Sequence, residues 1–153
     1  MPLPSMDFDP TESAVPWRFL KRHGHEFVFA TPDAKPAQAD QRMIDGNGLG
    51  ILRPFFIADK NGRSAYAEMQ KSPEFLSPIA YDDIDIESFD AILLPGGHAQ
   101  GMKPYLESKR LQELIARHFS AQKPVAAICH GVVLAARSLH EDGKSILHGF
   151  KST

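Results

Sequence analysis

The sequence predicts an α/β fold, a doubly wound, mostly parallel sheet in a three-layer α/β/α sandwich. Three observations predict it. Short apolar runs alternate with amphipathic stretches in the order strand, helix, strand, helix, strand from Phe89 onward, and that alternation implies right-handed crossovers. PVAAIC (residues 124–129) is a continuous apolar run, of the kind buried on both faces of a parallel sheet. Two such runs end in small-residue turns, LLPGGH and AAICHG. Ligands of doubly wound sheets sit beyond these carboxyl ends.

Each element has its own signal. Residues 1–4 are the tail of a first strand. Residues 11–23 place Val15, Phe19 and Leu20 at helical spacing, with Gly24 as the stop; Pro16 is tolerable only within the first turn or so. HEFVFATP (residues 25–32) is rich in Val and Phe and reads as a strand. Residues 34–50 read as a long loop, 52–69 as helical fragments broken at Asn61-Gly62, and 72–85 as irregular chain. FDAILLPGG carries a strand at 91–94. Residues 105–122 put Leu106, Leu111, Leu114, Ile115 and Phe119 on one face of a helix. GVVLAARSL is the next helix, stopped by Gly143, and SILHG opens a further strand near Ser145.

Composition narrows the function. The chain has 153 residues, 42% hydrophobic and 24% charged, which fits one soluble domain. Its 17 basic and 19 acidic side chains leave a net charge of −2, against a nucleic-acid footprint. The single cysteine, Cys129, excludes an internal disulfide. MPLPSMDFDP does not read as a secretory signal. The longest uncharged apolar run, residues 124–136, is too short to span a bilayer. The expectation is a cytoplasmic protein with no nucleic-acid or membrane partner.

Cys129 falls where a buried strand turns into a helix, with Ala127 and Gly131 on either side. This is the pattern of a nucleophile elbow, whose tight turn admits only small neighbours. The helix N-terminus there is expected to favour thiolate over thiol. A buried, inert cysteine is the plainer reading. His130, the next residue, need not touch the thiol, but its N–H is placed to serve as an oxyanion donor; it reads equally as a turn residue. Gly96 and Gly97 either supply turn conformations or lend bare N–H groups to an oxyanion hole. His98 either lines the pocket or sits on a surface loop. Glu12, in DFDPTE, is either a helix-dipole partner or a carboxyl above the sheet edge, where a neighbouring thiolate would raise its pKa. The pattern alone does not choose.

Other constellations fall away. The seven histidines show no tight metal-ligand motif, and no metal is expected. IDGNGLG (residues 44–50) has neither a Walker lysine nor a strand–helix context. Trp17, Phe19, Phe55 and Phe56 read as core or pocket wall.

DPTE followed by PW, then GHEFVFATPDAKPAQAD, FDAILLPGGH and AAICHG, in that order across the chain, resemble the DJ-one/PfpI superfamily, of the flavodoxin-like, class I glutamine amidotransferase-like fold. The resemblance is nearest to the glyoxalase III and heat-shock chaperone branch. It implies Cys129 as nucleophile, Glu12 as the carboxyl that hydrogen-bonds it, and His130 as the catalytic histidine. The backbone amides of Gly97 and His130 follow as oxyanion donors, with Gly96, His98 and Gly131 at the substrate. It implies cofactor-free action on reactive carbonyls, either methylglyoxal to lactate or deglycation, with peptidase action also among family activities, and a homodimer. The alternatives are a holdase chaperone or redox-stress sensor without turnover, or an amidotransferase-like domain without amidotransferase activity. The acidic partner that the branch places downstream of the cysteine is not identified in the 24 residues after Cys129. Against the family's length, residues 1–153 are expected to form one domain short of part of its first strand and of its last strands and helix.

Overall fold

A computed structural model describes residues 1–48 and 50–151. Three parallel strand pairs form the frame. β1 (Met6–Phe8) pairs with β3 (Gln38–Ala39), β2 (Ala30–Thr31) with β4 (Ile79–Ala80), and β5 (Ile92–Leu94) with β6 (Val125–Ala127). Residues 1–3 run beside β2, where Leu3 N–H donates to Ala30 O at 2.8 Å. At the carboxyl end of β1, Asp9 N–H donates to Gly96 O at 2.8 Å and ties that end to the end of β5. The strand ends that carry the site therefore meet at one edge.

Between strands run α1 (Pro10–Arg22), α2 (Gln41–Asp45), α3 (Arg53–Phe56), α4 (Lys60–Met69), α5 (Pro73–Leu76), α6 (Lys103–Glu107), α7 (Lys109–Ser120) and α8 (Gly131–Arg137). α1 packs on α4, while α6 and α7 pack on α8, which lies against β5 and β6. Phe8, Phe29, Tyr66 and Phe75 form an edge-to-face aromatic cluster in the core, with Phe29 and Phe75 centroids 5.3 Å apart.

Several expectations change. Pro16 lies inside α1, not in its first turn, because the helix already starts at Pro10; its missing N–H leaves the Glu12 carbonyl without that helical donor. Of the strand expected at 25–32, only Ala30–Thr31 is laddered. The stretch read as a loop at 34–50 holds β3 and α2, the latter capped by Asp40 accepting from Arg42 N–H. Asn61-Gly62 does not break α4: Asp59 caps the helix through Gly62 N–H, and Gly62 lies against Thr11, where a Cβ would collide. The stretch 72–85 contains α5 and β4. The helix expected at 105–122 splits at Ser108, whose hydroxyl accepts from Leu111 N–H and starts a new helix.

β6 is not buried on both faces, since Ala126 is exposed. α8 stops at Arg137, well before Gly143, which has a positive φ of 78° in a later turn. The strand expected near Ser145 is a single antiparallel bridge, Leu139 to Ser145, across that turn. Trp17 is core and donates to Glu74, and Phe56, though exposed, lines a cavity wall, whereas Phe19 is exposed; the side chain of Phe55 lies outside the described residues. Among the described residues no helix is long and apolar enough to cross a membrane.

Candidate active site

The elbow is present in backbone terms. β6 ends at Ala127, α8 begins at Gly131, and Cys129 between them has φ +52°. A non-glycine residue in the left-handed region costs roughly 1–2 kcal/mol, and such strain concentrates at functional positions. Gly131 lets α8 start hard against β5, because a Cβ there would drive into the Leu94 carbonyl oxygen. Strand register does the rest. The ladder that pairs Leu94 with Ala127, continued two residues, sets Gly96 beside Cys129.

Glu12 reaches this point through an opened cap. Asp9 is the buried N-cap of α1 and accepts from the N–H groups of Thr11 (2.7 Å) and Glu12 (3.1 Å). In an ordinary capping box a Glu three residues after the cap would return to the cap's own N–H. Here that N–H goes to Gly96 O, and Glu12 Oε2 instead accepts from Gly96 N–H at 2.9 Å. One residue of the β5 turn, through its N–H and its carbonyl, thus aligns both members of the cap and aims the carboxyl toward the thiol. Gly96 is the residue that fits: a Cβ would lie 2.7 Å from Glu12 Oε2, 2.7 Å from His130 N and 2.9 Å from Cys129 Cβ.

Both histidines next to the cysteine reach it. His130 Nδ1 lies 3.4 Å and His98 Nε2 3.8 Å from Cys129 Sγ. The expectation that His130 need not touch the thiol is therefore corrected. The backbone bends into the helical region at His130 (φ −66°, ψ −14°) instead of continuing extended, and its ring lies back over the sulfur. The thiol is exposed, and His98 also lines a cavity of about 590 Å³ whose walls include Thr11, Asp40, Arg42, Phe56 and Asp59 but not Cys129.

Electrostatics revise another expectation. Although the residue is exposed, partial desolvation first, and then the Glu12 charge, push the Cys129 thiol above its ordinary value; the His130 N–H works in the opposite direction. The N-terminus of α8 does not outweigh them. Glu12 is likewise raised, by burial and then by the charge of Asp9. The thiol's hydrogen bond favours the Glu12 carboxylate, while the Glu12 charge disfavours the thiolate, so the sulfur holds the proton and needs a base at the moment it attacks.

The structure brings together Cys129, Glu12, His130, His98 and Gly96. Gly96 N–H is committed to Glu12 and Gly131 N–H to Ile128 O at 2.8 Å, so neither is free to receive an oxyanion. Among the described residues the N–H of Gly97 makes no hydrogen bond. Asp9 is the positioning residue that the sequence reading passed over, although its spacing to Glu12 is a capping signature.

A parallel α/β frame with a strained cysteine at a strand–helix turn, faced by a carboxyl and two histidines, defines a class of cysteine-elbow proteins. The chain belongs to the ThiJ/PfpI family: a family model described as ThiJ/PfpI family-like matches residues 3–153. It is 31% identical over 145 residues to protein C14C4.04 of Schizosaccharomyces pombe, covering 89% of this chain and 52% of that one. It is 28% identical over 129 residues to deglycase PfpI of Pyrococcus furiosus, covering 84% of this chain and 58% of that one. The glutathione-independent glyoxalase hsp3101 of S. pombe is 25% identical over 145 residues, with 93% and 56% covered. The chain thus spans little more than half the length of these relatives. The ThiJ/PfpI domain protein of Brachyspira murdochii superposes with a TM-score of 0.62 at 18% identity, over 99% of this chain and 75% of that one, and shows the fold.

Proposed function

We propose that the chain performs cofactor-independent, cysteine-dependent chemistry on reactive carbonyls, converting methylglyoxal to lactate or removing early glycation adducts. The observation that carries this is an exposed Cys129 at φ +52° with Glu12, His98 and His130 around its sulfur. Relatives named deglycase and glyoxalase support the substrate class.

In this reading Cys129 Sγ attacks the aldehyde carbon as its proton passes to His130 Nδ1 or Glu12. The new C–S bond makes a hemithioacetal whose oxygen takes the N–H groups of His130 and Gly97. The same base moves the C1 proton to C2 through an enediol. The product is a thioester, which water cleaves to lactate, returning the thiol. No external oxidant or reductant is needed, because C1 is oxidised as C2 is reduced. The working unit is taken as a cytoplasmic homodimer.

The test is lactate formation from methylglyoxal by the wild-type chain, Cys129→Ser and Glu12→Gln. Both variants should lose turnover, and a Cys129→Ser protein working at the wild-type rate would sink the proposal. The exposed thiol favours one second reading, a redox sensor that reaches the sulfinic acid under peroxide. That sensor would show oxidation without turnover.

A further inference from the structure

We propose that His98, Cys129 and His130 form a binding site for a thiophilic, four-coordinate divalent cation of the zinc type, with the fourth position open to solvent. Their ligand atoms lie within 4.8 Å of one another, the only such group of three among the described residues. His98 stands far from Cys129 and His130 in the chain, and the three meet only across the β5–β6 edge.

The spacing that serves a sulfur–imidazole hydrogen-bond network also fits an ion. With Zn–S about 2.3 Å and Zn–N about 2.0–2.1 Å, a tetrahedral ion has S···N edges of about 3.6 Å. The observed Sγ···Nδ1 and Sγ···Nε2 separations of 3.4 and 3.8 Å fall on either side of that value. The two rings stand edge to face, 85° apart, so their nitrogen lone pairs can converge from different directions. Cys129 and His98 are exposed and His130 is half-buried, which leaves a path in from solvent. One thiolate with two imidazoles selects zinc-like ions over Mg²⁺ or Ca²⁺, which prefer oxygen. Three protein ligands leave the fourth position to water or a small ligand, as in open zinc sites.

Binding breaks the S–H bond heterolytically. The sulfur keeps the electron pair and donates it to the cation, and the proton leaves for solvent; nothing is oxidised or reduced. The ion then occupies the sulfur lone pair that a nucleophile would use. The site would be a reversible block on the thiol, independent of whether the thiol turns over carbonyls.

The experiment uses the full chain after EDTA treatment, with Zn²⁺ and Co²⁺ as probes. Calorimetry at pH 7 in two buffers of different ionisation enthalpy should give one Zn²⁺ and close to one released proton per chain. Co²⁺ should give a thiolate-to-metal charge-transfer band and tetrahedral d–d absorption. Because Cys129 is the only cysteine, iodoacetamide labelling reads this site alone. Zn²⁺ should slow labelling about tenfold or more, Mg²⁺ should not, and EDTA should restore it. His98→Ala and His98→Gln should each weaken Zn²⁺ by at least the roughly 10–100-fold seen when a ligand's support is lost, with unchanged circular dichroism. Absence of stoichiometric binding, or protection undiminished in both His98 variants, would overturn the site. Zn²⁺ binding in a chain that neither makes lactate nor removes early glycation adducts leaves this site standing and removes the carbonyl reading; lactate formation indifferent to Zn²⁺ does the reverse.

Discussion

Gly96→Ala tests the geometry most directly. Gly96 is not among the positive-φ residues, so alanine is allowed by the backbone and the whole cost is steric. The added Cβ would meet Glu12 Oε2 and His130 N at 2.7 Å each, and Cys129 Cβ at 2.9 Å, all well inside van der Waals contact. Glu12 is the end of a flexible side chain and can retreat, but in doing so it gives up the 2.9 Å bond from Gly96 N–H. His130 N is backbone at the head of α8, and Gly131 holds that head against β5, so it has little room to move. Overpacking of this kind costs about 1–3 kcal/mol. A hydrogen bond to a charged group adds about 1.5–3 kcal/mol when lost, only part of which applies to a half-buried carboxyl. We expect a loss of about 2–4 kcal/mol. For a chain of this size that lowers the thermal midpoint by roughly 4–16 °C. Urea melts give the free energy, and the iodoacetamide rate at Cys129 reports whether the thiol has lost its partner. A variant within about 0.5 kcal/mol of wild type, with an unchanged labelling rate, would show that the Gly96 junction does not hold Glu12 against the cysteine.

The other predictions act on the same edge and on the packing behind it. Cys129→Gly should be more stable than Cys129→Ala by about 0.5–1 kcal/mol, since relief of the left-handed strain outweighs the chain entropy of glycine; equal melts would argue that the elbow is unstrained. Burial, and then the Asp9 charge, raise the Glu12 pKa, so its contribution to stability is full below the ordinary carboxyl value and is lost as pH rises through the folded one. Glu12→Gln should therefore gain in thermal midpoint relative to wild type as pH rises from about 4.5 toward neutrality, and a difference that stays flat or falls contradicts that direction. Gly62→Ala should push α4 off α1 at Thr11 and cost about 1–3 kcal/mol. Adding Thr11→Ala should recover part of the loss, a coupling read from the double-mutant cycle.

Much of this arrangement was legible in the residues, and the parts that were not have physical reasons. A short apolar strand closing on a small-residue turn is a local signal, so the Cys129 elbow and the Gly96-Gly97 turn could be seen one residue at a time. The helix break at Ser108 was hidden because the apolar spacing of Leu106, Leu111 and Leu114 runs on through it, while the break itself depends on one hydroxyl taking the Leu111 N–H. The continuity of α4 through Asn61-Gly62 was hidden for the opposite reason. Local propensity votes against a helix there, and only the close approach of Thr11 shows what the glycine is for.

The charge state of the sulfur was misjudged because a dipole can be read from a sequence and burial cannot. The turn into α8 is visible in AICHG, but the half-buried Glu12 that pushes the thiol up sits on another element, more than a hundred residues away in the chain. The same holds for His98. Its imidazole becomes a neighbour of the sulfur only because β5 and β6 are parallel neighbours in a register that sets Gly96 level with Cys129. What the fold contributes is thus a set of distances between groups whose identities were already on the page. Those distances make the two uses proposed for one sulfur, attack on a carbonyl carbon and coordination of a cation, depend on the same proton.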